Sequence, residues 1–227
     1  MIDIHSHILP YVDDGCGDPE KAVNMLEDAI AQGVTDIILT PHYRAKYCME
    51  KEDLQKEFAK FSEYVKSKNL PINIYLGQEI FVTSNVKQLI TEGKVATLNG
   101  SKFVLVEFDT ENEIDIAEEV YELAICGYVP IVAHLERYYY ADAKTAFEIK
   151  QSGGMVQVNA ESVVGRGKIA RKTRQMLKYA LVDFIASDMH YGRSNHLAES
   201  RQYVKKKLGD DAEKILFEGN AERILKG

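Results

Sequence analysis

The chain has 227 residues, 45% of them hydrophobic and 28% charged, which is enough for one large α/β domain with a substantial core. Fifteen glycines and five prolines are ordinary usage and exclude collagen-like, low-complexity and disordered classes. With 35 acidic residues against 28 basic ones, the formal charge of −7 argues against nucleic acid or any partner held by many phosphate contacts.

Taken in chain order, Ile2 to Ile4 reads as a first strand, and Met1 to His7 alternates like a strand rather than opening a signal peptide. A helix follows: Asp18 is its cap, Pro19 suits its first turn, and Ala22, Met25, Leu26, Ala29 and Ile30 form its buried stripe before Gly33. Asp36 to Leu39 is a second strand, then a helix over Glu52 to Ser67 and a third strand over Ile72 to Leu76. Phe103 to Val106, Ile131 to Ala133, Met155 to Val158 and Phe184 to Ala186 complete seven strands. Helices are expected over Ile114 to Cys126, Thr145 to Gln151, Ala170 to Tyr179 and Leu197 to Leu208, and a mobile loop over Asn159 to Thr173. Such alternation implies parallel βαβ units, and a closed or nearly closed barrel is the economical architecture. Neither a G-x-G-x-x-G nor a Walker-type glycine motif is present to mark an open nucleotide-binding sheet. No repeat, linker or composition shift divides residues 1–227, so a single domain is expected. No apolar run approaches the roughly 18 residues of a membrane span, so we expect no membrane insertion and a cytoplasmic location. The three scattered cysteines, Cys16, Cys48 and Cys126, read as reduced thiols.

Five of the six histidines stand just after strand ends: His5 and His7, His42, His134 and His190. Glu79 and Glu107 end the two strands that lack one, Asp14 follows the first strand, and Asp188 precedes His190 by two. In parallel α/β folds the C-terminal strand ends converge on the active site, so these side chains should meet in space. Imidazole and carboxylate together suit zinc, manganese or iron. Nine donors exceed what one ion uses, so at least two ions are expected, and three fit if a carboxylate bridges. Three divalent ions would cancel most of the formal negative charge.

The segments Met1-Ile2-Asp3-Ile4-His5-Ser6-His7-Ile8, Val12-Asp13-Asp14-Gly15, Thr40-Pro41-His42, Gly77-Gln78-Glu79-Ile80, Val106-Glu107-Phe108, Ala133-His134-Leu135-Glu136-Arg137-Tyr138, Gln157-Val158-Asn159 and Ala186-Ser187-Asp188-Met189-His190 run through most of the chain. In them the sequence resembles the polymerase and histidinol phosphatase (PHP) superfamily. Within it, the likeness is to the bacterial manganese-dependent tyrosine-protein phosphatases encoded with capsular or exopolysaccharide genes. The resemblance implies a distorted seven-stranded (β/α)7 TIM-like barrel, the PHP fold, with a trinuclear site. It implies that His5, His7, Glu79 and Asp188 hold one ion, that Glu79 with Glu107 and His134 holds a second, and that Asp14, His42 and His190 hold a third. It points to Arg137 and Arg193 as the residues that grip phosphate oxygens. It also implies two to three divalent ions, with manganese the expected metal and iron or zinc alternatives, and as substrate the phosphotyrosine tail of a bacterial tyrosine autokinase.

Thiol-based tyrosine phosphatases need arginine six positions after their cysteine, and here those positions are Ala22, Leu54 and Val132. A metal route is therefore the one available. Histidinol-phosphate phosphatase shares that chemistry and is the second reading; a non-catalytic metal-bound interaction module and a PHP-type nuclease are weaker ones. Asn159 and Glu136 are expected to orient metal ligands. His196 is expected to open a helix, Tyr138, Tyr139 and Tyr140 to pack at the mouth, and Lys205 to Lys207 to face solvent.

Overall fold

The computed structural model describes residues 1–227. Its strands are β1 (Ile2–Ser6), β2 (Asp36–Leu39), β3 (His42–Tyr43), β4 (Asn73–Leu76), β5 (Glu79–Phe81), β6 (Phe103–Glu107), β7 (Val129–Val132), β8 (Met155–Asn159) and β9 (Phe184–Ala186). They pair in parallel, in the orders β1-β2-β4 and β3-β5-β6-β7-β8-β9. Nine segments stand where the sequence predicts seven strands, because the short strands β3 and β5 follow the expected second and third strands, which end at Leu39 and Leu76. Pro41, which has no N–H to give a ladder, separates β2 from β3, and Gly77 lies between β4 and β5. The backbone carries the pairing across the break: Gly77 N donates to Leu39 O at 2.9 Å and Glu79 N to Pro41 O at 3.1 Å. At the other edge His7 N donates to Met189 O at 2.8 Å and Asp188 N to His5 O at 2.9 Å, so the curled sheet brings its first strand against the end of its last.

The helices between strands cover the outside. In the Pro19–Ala31 helix, Asp18 caps by accepting from Lys21 N at 2.9 Å and Ala22, Met25, Leu26 and Ala29 are buried, as the spacing predicts, while Ile30 of the expected stripe is only half-buried. One cluster of 46 buried hydrophobic residues fills the layer that includes these stripes. A second, of 12 residues, includes Ile4, Ile38, Leu105, Ile131 and Phe184 from five strands, and Ala221 and Ile224 of the Asn220–Leu225 helix pack into it. Phe103 and Leu105 belong to that cluster and Glu107 continues the same face, and Asp188 follows just beyond Phe184 and Ala186 of β9. The apolar interior thus ends in carboxylates at one mouth.

The expected mobile loop over Asn159 to Thr173 is instead two helices, Ala160–Val164 and Gly167–Lys178. Arg174 ties the connection between them, donating to Val163 O at 2.9 Å and Gly165 O at 2.6 Å. Glycine content suggests mobility there, but the Arg174 guanidinium, nine and eleven residues further on, satisfies the carbonyls of Gly165 and Val163. No helix is long and apolar enough to cross a membrane.

Candidate metal centre

β1 carries a register irregularity between Asp3 and Ser6, a local departure of the kind that re-aims side chains, and His5 and His7 both reach the mouth. Their Nε2 atoms lie 3.1 Å apart. Glu79 Oε1 is 3.4 Å from His5 Nε2, Glu79 Oε2 is 3.3 Å from His7 Nε2, and Asp188 Oδ1 is 3.5 Å from both. Ligands about 2.0–2.2 Å from one ion lie roughly 3.0–3.5 Å from each other, which is the spacing of these four donors.

Glu79 extends the cluster. Its Oε1 is 2.9 Å from His134 Nε2 and its Oε2 is 2.8 Å from His42 Nδ1. Glu107 stands 3.7 Å from each of the same two rings. His7, His42 and His190 form a further group whose ring nitrogens converge, with the His7 and His190 rings stacked at 4.2 Å. Asp14 is the outlying candidate: its side chain is 47% exposed, it faces His42 Nε2 at 3.7 Å, and Arg44 reaches it at 3.4 Å. Seven of the nine predicted donors are therefore buried together, His190 is half-buried against them, and Asp14 rims them.

Buried polar atoms without a hydrogen bond include His42 Nδ1, Glu79 Oε2 and Glu107 Oε2. The 2.8 Å approach of His42 Nδ1 to Glu79 is close but lacks hydrogen-bond alignment. Burial would push Glu79 up, yet the charge of His5 and contacts from His134 and His42 hold it well below the usual carboxylate range. Burial and the nearby Glu79 raise Glu107. Burial likewise opposes the charge of Asp188, but His5, His134 and His7 bring it to about 2. Burial, then the His7 charge, pushes His190 down to about 4. Protons on histidine rings thus supply the positive charge that these carboxylates demand, and a divalent cation would take over that role with loss of the protons. The residues fit metal ions.

A surrounding set of polar groups fixes the ligands, and sequence reasoning missed two of its members. Asp13, with a fully buried side chain, approaches His7 Nδ1 at 2.7 Å and accepts from Gly15 N at 2.9 Å and His42 N at 3.0 Å. Burial works against its charge, but the His7 contact and the two amides hold it at about 2. Gln157 Oε1 is 3.1 Å from His5 Nδ1 and accepts from His134 N at 2.8 Å. These partners assign the proton of each ring to Nδ1 and leave Nε2 facing the cluster. Asn159 behaves as expected, donating from Nδ2 to Asp188 Oδ2 at 2.8 Å, whereas Glu136 acts one step back by accepting from Asn159 N at 2.9 Å. Gly15 is required here, since a Cβ would sit 2.2 Å from His7 Cβ and carbonyl oxygen. His134 and Asp188 hold φ of 33° and 50°, a left-handed conformation that costs energy in non-glycine residues and clusters at functional sites.

Arg137 donates to Asp188 Oδ2 at 3.2 Å with its side chain 41% exposed, and Arg193 is exposed three residues beyond His190. Arg44, not singled out in the sequence, stands 3.8 Å from Glu107 as well as beside Asp14. Tyr138 is fully buried behind His134, its hydroxyl accepting from Phe108 N and donating to Ala133 O, while Tyr139 is exposed. His196 immediately precedes the Leu197–Leu208 helix, makes no side-chain capping bond, and pairs with Glu199 at 3.3 Å.

The family model described as "Capsular polysaccharide synthesis, CpsB/CapC" matches residues 1–226. The chain is 31% identical to tyrosine-protein phosphatase YwqE of Bacillus subtilis, over 100% of this chain and 92% of that protein. It is likewise 31% identical to tyrosine-protein phosphatase CpsB of Streptococcus agalactiae, over 100% of this chain and 98% of the relative. A crystal structure from work on YwqE and CpsB of Streptococcus pneumoniae, described as unique metal-dependent tyrosine phosphatases, superposes with a TM-score of 0.93 at 29% identity, covering 100% of this chain and 94% of that one. Histidinol phosphate phosphatase of Lactococcus lactis, at 16% identity and a TM-score of 0.58, shares the fold. With its length matched almost end to end, the chain belongs to the CpsB/CapC family of capsular polysaccharide synthesis.

Proposed function

We propose that the protein is a metal-dependent protein-tyrosine phosphatase that hydrolyses phosphotyrosine on the tail of a bacterial tyrosine autokinase and so regulates capsular or exopolysaccharide biosynthesis. The carrying observation is the convergence of His5, His7, Glu79 and Asp188 within 3.5 Å contacts, beside Arg137, at the mouth of the sheet. In this reading residues 1–227 form one cytoplasmic domain, a distorted barrel of seven strands in which β2 with β3 and β4 with β5 each count once. His5, His7, Asp14, His42, Glu79, Glu107, His134, Asp188 and His190 hold two to three divalent ions, manganese first among them and iron or zinc in its place. Ions in such a cluster supply Lewis acidity and lower the pKa of bound water toward neutrality.

The chain's own groups then orient the phosphate. Arg137 keeps N–H donors beyond the one spent on Asp188, and with Arg193 it takes phosphate oxygens whose charge grows in the transition state. Asp13 and Gln157 keep the Nε2 atoms of His7 and His5 aimed at the ions. The exposure of Arg137, Arg193 and Tyr139 at the rim suits a peptide.

The test is phosphate release from a phosphotyrosyl peptide, with histidinol phosphate beside it, using protein stripped by chelator and reloaded with manganese. Peptide turnover that vanishes on stripping is the expected result. Preference for histidinol phosphate would move the assignment to small-molecule hydrolysis, and no turnover of either would refute the phosphatase reading.

A further inference from the structure

Between Glu161 and Asp183 the chain contains no aspartate or glutamate, yet it carries Arg166, Lys168, Arg171, Lys172, Arg174 and Lys178 in a molecule of formal charge −7. Lys172 and Arg174 are committed to backbone carbonyls. Arg166, Lys168, Arg171 and Lys178 are exposed. At its start the arrangement works against the helix that bears it, although Lys178 in the last turn suits the helix dipole. The first turn of Gly167–Lys178 has no acid to meet the positive end of the helix dipole, and Lys168 and Lys172, like Arg174 and Lys178, are like charges at i,i+4. A charge pattern that opposes its own helix points to a partner outside it.

The strip adjoins the site. The Ala160–Val164 helix begins at Asn159, the residue bonded to Asp188, and Lys172 Nζ donates to Tyr138 O at 2.6 Å and Ala141 O at 3.0 Å, against the segment that carries Arg137. A groove of about 560 Å³ opens beside its first residues, lined among others by Val164, Arg166, Ile169, His196 and Glu199. Ile169 is 48% exposed there, and Glu199 is paired with His196. With Glu161 also on its edge, the groove suits an apolar side chain, and the cations suit the acidic residues around it.

We infer that the strip from Arg166 to Lys178, with the groove beside Ile169, docks an acidic stretch of the substrate peptide flanking the phosphotyrosine. This rests on the phosphatase reading and adds a second attachment point to it. Charge selects the occupant: the net charge of −7 repels an acidic peptide, while this acid-free strip, whose Arg166 end lies towards the mouth, attracts it and steers its approach.

The experiment compares two phosphotyrosyl peptides of equal length, one with acidic flanks and one with serine in their place. Each is assayed on manganese-loaded wild type and on the Lys168→Glu, Arg171→Glu double variant, with p-nitrophenyl phosphate as a substrate that has no flanks. Both substituted positions are exposed, and a Lys168→Gln, Arg171→Gln pair guards against misfolding. We expect wild type to prefer the acidic peptide by about tenfold in kcat/KM, mainly through KM and less so at high salt. The variants should lose that preference while hydrolysing p-nitrophenyl phosphate at the wild-type rate. Equal kcat/KM for both peptides in wild type, or an unchanged preference in both variants, would overturn the inference. Were p-nitrophenyl phosphate not hydrolysed at all, the phosphatase reading would fail separately. Fluorescence anisotropy of a labelled acidic peptide would then decide the docking: loss of binding in the variants supports it, and equal binding overturns it. Variants that lose binding only to anionic lipid vesicles would also overturn it, in favour of a membrane surface.

Discussion

Asp13 and Asp14 are neighbours in the chain and part company in space. Asp13 turns inward to His7 Nδ1, while Asp14 stays half exposed beside His42 and Arg44. Adjacent carboxylates after a strand mark a site, but choosing between ligand and orienting partner needs the backbone path through Gly15. Asp13→Asn should lower metal affinity about 10–100-fold, because carboxylates that orient ligating histidines have effects of that size. Metal content after dialysis against graded chelator reads this, and wild-type retention would remove Asp13 from that role. Arg137→Lys replaces a planar fork with a point charge, so kcat/KM for a phosphotyrosyl peptide should fall while metal content stays intact. Unchanged kinetics would take Arg137 out of the site. The ligand candidates themselves were legible because they follow strand ends, where the fold class concentrates chemistry. Gln157 was hidden: it lies inside β8, and only the sheet order places it against His5 and His134.

At the scale of elements, hydrophobic periodicity located the strands and the long helices but not their interruptions. The expected second and third strands end at Leu39 and Leu76, whereas beyond Pro41 and Gly77 a ladder restarts at His42 and Glu79 with their side chains in the site. The Asn159 to Thr173 segment was misread for the opposite reason: its glycines suggest mobility, and the tie from Arg174 comes from beyond it. Arg174→Met should therefore destabilise the protein by about 1.5–3 kcal/mol, the range for hydrogen bonds to a charged group. A lowered urea midpoint would show this, and a midpoint equal to wild type would mean that the connection holds itself. The short helices Asp210–Lys214 and Asn220–Leu225 lay beyond the expected pattern, being too brief for a periodic stripe to identify.

For the molecule as a whole, the centre concentrates ionisable groups where the sheet is otherwise apolar. Buried carboxylates in close contact are costly unless positive charge accompanies them. A ligand that binds only the folded state stabilises it, by about 2.7 kcal/mol at a hundredfold excess over Kd. Chelator-stripped protein should therefore unfold at lower urea than manganese-loaded protein, with recovery on reloading. Coincident curves would show that the ions add nothing to the fold.

The seam between the first strand and the end of the last has a consequence for synthesis. A ribosome makes His5 and His7 about 180 residues before Asp188 and Met189, which they meet. At about 5–20 residues per second, the opening histidines wait roughly ten to forty seconds for their partners. During translation the nascent protein holds half-built sets of donors, and the candidate centre is whole only once His190 has been made.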